Sequence, residues 1–166
     1  MKKLLVLALG IVMMFAVVGC SKNERSSEVK SFTGEELAQI ISDCGSEMTQ
    51  YNEPKAFDDE NGMGPMFLES FEADPSIIEA GAISYSMMNV KAYAIMIVKP
   101  AEGKAEDVKT ILENDKNINI QNFTNYLADQ LEIAENAIIE DVNGYIVYVM
   151  TDDAETVFNA ISEKLK

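Results

Sequence analysis

The residue best placed to undergo chemistry is Cys20, because of what precedes it. Val17-Val18-Gly19-Cys20 sets a small residue directly before a cysteine, after Lys2, Lys3 and an uncharged apolar run from Leu4 to Val18. A charged n-region, a short apolar stretch and a close on small residues are the marks of a cleaved secretory signal. A spanning helix would need about 20 apolar residues to cross the hydrocarbon. With cysteine at the cut the expected chemistry is lipidation, the thiol carrying diacylglycerol. Two acyl chains anchor stably where one holds marginally, at about 0.8 kcal/mol per buried CH₂. Residues 1–19 are therefore expected to be removed and Cys20 to become the lipid-bearing first residue, as in a palmitate-type lipoprotein.

Other chemistry is sparse. The chain has no histidine, which excludes Ser-His-Asp and Cys-His nucleophile systems and His-ligated zinc or copper. With Cys20 lipidated, Cys44 is the one free thiol, so no intramolecular disulfide is expected. Its place one turn beyond Ile40 and Ile41 marks a small hydrophobe on a helix face. Asp58-Asp59-Glu60 could offer oxygen ligands to Ca²⁺, but an EF-hand loop needs ligands at alternate positions and a glutamate at position 12. Glu140 and Asp141 are neighbours on a predicted strand, so they point to opposite faces and cannot pair. Asp152-Asp153 stand where they would cap the last helix and match its dipole. Met63, Met66, Met87, Met88, Met96 and Met150 could form a Cu(I) site, though strand methionines more simply fill a core. Tyr85, Tyr93, Tyr145 and Tyr148 on strands could line a ligand groove. No catalytic residue, cofactor site or metal site is assigned.

The charge balance narrows the partners. The 166 residues carry 13 Lys+Arg and 28 Asp+Glu, a formal charge of −15. Loss of Lys2 and Lys3 with the 19-residue signal leaves 147 residues at −17. That is enough chain for one domain with its own core. So acidic a surface repels polyanions. No nucleic acid partner is expected, and the membrane is met only through the anchor on Cys20.

The elements that must position these residues fall into three zones. Residues 20–32 are the lipidated cysteine and a polar tether without periodicity; as a coil it spans roughly 20 Å. Residues 33–166 form a single domain. Thr33-x-x-Glu36 is a capping box, and Leu37, Ile40, Ile41, Cys44 and Met48 follow as one apolar stripe. From Tyr51 to Gly81 three prolines break the pattern, yet Met66, Phe67, Leu68 and Phe71 require that this loop pack on the domain. Asp74-Pro75 through Gly81 reads as a helical turn or two with a glycine stop.

An internal repeat follows. Val90–Val98 aligns with Val142–Met150, and each segment ends a hairpin and leads into a helix marked by Ala-Glu, at Ala105 and Ala154. Asn143-Gly144 is a two-residue hairpin turn. The strands are expected at Ala82–Met88, Tyr93–Val98, Ala137–Val142 and Tyr145–Met150, with a further helix near Phe123–Leu131 between the copies. The fold class is α+β: a four-stranded, mainly antiparallel sheet from two β-β-α repeats, its helices packed on one face. Apolar residues on both faces of Ala94–Val98 call for cover on the second face. The Thr33 helix and the Phe67–Phe71 loop are the candidates.

Ser86–Ala92, Ile95–Lys99, Asn122-Phe123, Tyr126, Glu135–Ala137 and Gly144-Tyr145 together resemble an uncharacterised lipoprotein family of Gram-positive bacteria, known only by a domain of unknown function. The resemblance covers roughly residues 35–165 and includes the lipid signal. In that family an acidic pair often follows the alanine on the second strand; here Tyr93-Ala94 stand in its place. The resemblance implies a location and a fold and brings no activity.

The expectation is a membrane-anchored extracytoplasmic lipoprotein on the outer face of the bacterial cytoplasmic membrane. It would act as a binding or accessory module for an envelope protein or peptide, and not as an enzyme. The alternative is a small carboxylate-dependent envelope hydrolase, which would need two carboxylates converging in one pocket with separated pKa values.

Overall fold

The computed structural model describes residues 30–166; Cys20, the signal expected at residues 1–19 and most of the expected tether, up to residue 29, lie outside the described residues. The elements run α1 (Gly34–Cys44), β1 (Lys55–Ala56), α2 (Gly64–Ser70), β2 (Ile78–Tyr85), β3 (Ala94–Pro100), α3 (Ala105–Phe123), α4 (Ala128–Glu135), β4 (Ile138–Val142), β5 (Tyr145–Met150) and α5 (Ala154–Leu165). Short 3₁₀ helices occupy Glu47–Tyr51 and Pro75–Ile77. Among the described residues no helix is long and apolar enough to cross a membrane.

The fold is α+β, with one antiparallel sheet in the order β1-β2-β3-β5-β4. The sheet has five strands rather than the four expected. The added strand, β1, is two residues long and pairs Lys55 with Ile83 and Ala56 with Ala82. Two residues behind Pro54 leave no alternating pattern to read. The central pair β3 and β5 is apolar on both sides, and all six residues of β5 are 0% exposed. A sheet like this must be covered on both faces.

That requirement corrects the placing of the helices. The expectation put the helices of both repeats on one face, but they lie on opposite faces. One core joins Ala94, Met96, Val98, Ile146, Tyr148 and Met150 to α2, α3 and α4 through Phe67, Leu68, Val108, Leu112, Phe123 and Ala134. The other joins Tyr93, Ile95, Ile97, Tyr145, Val147 and Val149 to α1 and α5 through Leu37, Ile41, Val157, Ile161 and Leu165. The repeat holds within the strands, since Tyr93 and Tyr145 face the same side, as do Met96 and Tyr148. It ends at the connections, because α1, with its 11 residues, leaves much of the second face for α5 to cover. The Phe67 segment, expected on that second face, is α2 on the first.

Local chemistry explains most boundaries. Thr33 caps α1 as expected: its Oγ1 accepts from the Glu36 N–H at 3.3 Å, and Glu36 Oε2 accepts from the Thr33 N–H at 2.8 Å. Asn143 and Gly144 take φ of 53° and 82° at the β4–β5 turn, the left-handed pair such a hairpin requires. Gly81 is no helix stop but lies inside β2, where an added Cβ would sit 2.9 Å from the Phe57 ring and 3.1 Å from Ile97 O. Strand β2 therefore starts at Ile78 and is finished by Tyr85, leaving Met87 and Met88 outside it. The helix expected near Phe123–Leu131 is divided: Phe123 ends the 19-residue α3, Asn125 turns the chain with φ 62°, and Leu131 belongs to α4.

Candidate functional site

Each of the four tyrosines expected on strands turns its hydroxyl to a partner within the fold, Tyr93 from just ahead of β3, and the four do not share a groove. Tyr85 and Tyr148 face the α3 side, where their hydroxyls donate to opposite carboxyl oxygens of Asp115: Tyr85 to Oδ1 at 2.8 Å and Tyr148 to Oδ2 at 2.9 Å. Asn119 Nδ2 donates to Asp115 O at 2.9 Å and to Oδ2 at 3.3 Å. Asp115 is 2% exposed. Burial raises its pKa above the usual carboxylate range, opposed by the two phenol hydrogen bonds. Burial first, and then the Asp115 charge, push the phenols of Tyr85 and Tyr148 up. The cluster ties β2, β5 and α3 together with neutral phenols around one carboxyl.

On the other face the Tyr93 hydroxyl is shared with Thr49 Oγ1 and Ser84 Oγ, each at 2.8 Å, and Ser84 Oγ donates to Asn52 O. Burial raises the Tyr93 pKa as well. Tyr145, first residue of β5, holds the incoming chain: its hydroxyl donates to Lys30 O and accepts from the Phe32 N–H, both at 3.0 Å. The Phe32 ring stands edge-on to it at 5.9 Å. The chain thus joins the sheet where β5 begins and β3 ends, which we call the base.

The opposite end, where β2 and β5 finish and β3 begins, is the tip. Its loop between Tyr85 and Ala94 is pinned at the neck and open at the crown. Ser86 N–H donates to Tyr93 O at 3.2 Å, Lys91 N–H to Met88 O at 3.1 Å, and Ala92 N–H to the buried Gln130 Oε1 at 3.0 Å. From this fixed frame Met87, Met88 and Val90 project at 65%, 51% and 42% exposure. Tyr126, ahead of α4, and Tyr51, beside the Thr49–Asn52 contacts, are exposed in the flanking segments.

Beside the loop, α4 and the β5–α5 junction enclose an open groove of about 760 Å³ lined by Asp129, Glu132, Asp152, Asp153 and Glu155. Asp129 accepts from Gln130 Nε2 at 2.9 Å, and that bond lowers its pKa. Asp152 and Asp153 do not cap α5 as expected. Both accept from Thr151 Oγ1, at 3.0 and 3.3 Å, and no side chain caps that helix.

The remaining candidates are scattered. Asp59 accepts from the Asn61 N–H at 2.8 Å and faces Lys55. Glu140 and Asp141 are exposed on the edge strand β4, where Asp141 Oδ1 accepts from the Gly144 N–H at 3.0 Å. Met96 and Met150 are core residues, Met63 packs on that core, and Met66 sits exposed on α2. Cys44 is half-buried against the α1–α5 core, and burial raises its thiol pKa. Among the described residues no group of three His, Cys, Asp or Glu side chains is arranged to hold a metal ion. Asp115 and Gln130 were missed in the sequence. Asp115 carried a signal, since it continues the spacing of Val108, Ile111 and Leu112 as an acid on an apolar stripe.

Fold and site together define an α+β domain of an uncharacterised family, with a structural carboxyl inside and an apolar tip outside. The chain belongs to the family described as Domain of unknown function (DUF4358), whose model matches residues 51–151. The match takes in the sheet, α2–α4, Asp115 and the tip loop, and leaves α1 and α5 outside. No curated protein and no solved structure matches the chain.

Proposed function

We propose that this is a lipoprotein of the Gram-positive type, held on the outer face of the bacterial cytoplasmic membrane through Cys20, which serves as a binding or accessory module of the cell envelope. The observation that carries the binding role is the tip loop, where Met87, Met88 and Val90 are exposed on a backbone fixed by Ser86, Lys91 and Ala92. Apolar side chains gathered on a braced loop mark an interaction site more often than apolar residues scattered singly. Its position supports the same reading. The chain joins the domain at the base, beside Tyr145, and the seven residues of β3 separate base from tip by about 20 Å at roughly 3.3 Å per residue. A partner in the envelope then meets the end away from the anchor.

The test places a photo-crosslinking residue at Met88 and, as a control, at Ile118, an exposed apolar residue on α3. In intact cells we expect a discrete adduct from position 88 that is absent from position 118 and is lost on Cys20→Ala. Equal labelling at both positions would sink the tip as a binding surface. Palmitate incorporation that survives Cys20→Ala would sink the anchor.

A further inference from the structure

We infer that the tip takes a cationic amphipathic segment, apolar side chains against the loop and lysines or arginines in the neighbouring groove. This rests on the tip being the binding surface and adds the chemistry of its occupant. Large apolar side chains are exposed at seven described positions, and three of these, Met87, Met88 and Val90, fall within one loop of the tip. Tyr126 is exposed as well, four residues before the Gln130 that is bonded to the loop. Methionine suits such a surface because its unbranched thioether repacks around different partners.

Charge complementarity selects the occupant. The groove that opens beside α4 is walled by carboxylates from two sides, Asp129 and Glu132 on α4 and Asp152 and Asp153 after β5. Four lysines outside the groove pair with acids: Lys55 with Glu53 and Asp59, Lys99 with Glu79, Lys104 with Asp107 and Lys166 with Glu163. Among the described residues none of the groove carboxylates has such a partner. Lys91, at the foot of the loop, is the cation that acts on Asp129, and it makes no ion pair there. An apolar crown beside an unneutralised acidic wall repels anionic lipid headgroups and nucleic acid, and attracts a chain with both apolar and basic side chains. A helix of that kind, laid against the tip, would serve both surfaces at once.

The full chain, reconstituted in zwitterionic nanodiscs with empty discs as the blank, is titrated with an amidated peptide of about 14 residues. The peptide sets Leu on one helical face and Lys on the other, and carries one tryptophan. The protein contains no tryptophan, so the peptide's emission reports binding directly. The lysine peptide should bind well above its glutamate isomer and weaken as salt rises from about 0.05 to 0.5 M. Replacing Met87, Met88 and Val90 by serine should weaken it about tenfold. Asp129→Asn with Asp152→Asn should weaken it several-fold and flatten the salt response. All of these side chains are exposed apart from the carboxyls' bonds to Gln130 and Thr151, and circular dichroism confirms folding. Tyr126→Ser is a second, single-site probe of the patch. If an uncharged Leu/Ser peptide binds equally and is lost with the serine variant, the tip stands as a binding surface and its cationic preference is overturned. If the serine variant and Tyr126→Ser bind every peptide as the unsubstituted chain does, the tip itself is overturned.

Discussion

The Tyr148 hydroxyl donates to Asp115 Oδ2 at 2.9 Å from the central strand β5, while Tyr85 donates to Oδ1 of the same carboxyl from β2. One side chain of α3 is thus bonded to two strands that β3 separates. Removing it leaves the Tyr85 hydroxyl without an acceptor and the Tyr148 hydroxyl with only the weak Met150 Sδ contact at 3.6 Å, both beneath a helix. Each orphaned buried polar group costs about 1–3 kcal/mol, so Asp115→Ala should lower stability by roughly 3–5 kcal/mol in urea unfolding. Tyr148→Phe should cost about 1–2 kcal/mol, because the carboxyl keeps its bonds to Tyr85 and Asn119.

The same burial sets a pH dependence. Tyr85, Tyr93 and Tyr148 all have raised folded pKa values, so what they contribute is fully present below the ordinary phenol value of 10.0. Above it the unfolded chain ionises its tyrosines while the folded chain keeps these protons. Stability is then lost as pH climbs through the folded values, by about 1.4 kcal/mol per pH unit for each tyrosine so held. Asp115 follows the same sign at the acid end. Its contribution is complete below 3.8 and declines as pH rises through its raised folded value. Urea midpoints from pH 8 to 11.5 should fall, and Tyr148→Phe should flatten that fall. Between pH 3.5 and 7 the advantage of the unsubstituted chain over Asp115→Asn should narrow.

Gln130 braces the tip from below. Its Oε1 accepts from Ala92 N–H, which is itself buried, and its Nε2 donates to Asp129. Gln130→Ala should therefore cost about 1–3 kcal/mol and speed hydrogen exchange at the Ala92 amide. Exchange at Ile97, in the middle of β3, should move only with global stability. Equal changes at both amides would show that Gln130 supports the whole fold and not the loop.

How much could be read in the sequence follows how far each feature reaches along the chain. The Thr33 cap, the Asn143-Gly144 turn and the strand Tyr145–Met150 depend on neighbours a few residues apart, and all three stand as expected. The side of the sheet that a helix covers is different, because it depends on how much apolar area the other helices leave. The repeat therefore foretold the strand faces and misled on α5. β1 was lost because a two-residue strand is made by its partner β2 and not by its own pattern. Of the site, Met87 and Met88 read as the end of a strand, and only the shorter β2, ending at Tyr85, leaves them on the loop with Val90. The spacing of Asp115 behind Val108, Ile111 and Leu112 marked it as an acid on an apolar stripe, but its partners Tyr85 and Tyr148 lie 30 and 33 positions away and leave no local trace.

Tyr145 offers the last prediction, because it fixes where the domain begins. Its hydroxyl lies between Lys30 O and the Phe32 N–H, and the residue itself is fully buried. In Tyr145→Phe the ring packing on Phe32 remains and both hydrogen bonds go. Lys30 is already exposed, so its carbonyl turns to water at little cost. The expected global loss is about 1 kcal/mol. The local effect is larger in kind: the backbone around Lys30 loses the contact that holds it to the domain. Trypsin needs an extended, detachable segment to cut, so cleavage after Lys30 should accelerate several-fold in the variant. Cleavage after Lys116, within α3, should follow only the small change in global stability. Limited proteolysis read by mass spectrometry separates the two sites. Unchanged cleavage after Lys30 would show that the Phe32 ring alone holds the chain to the base.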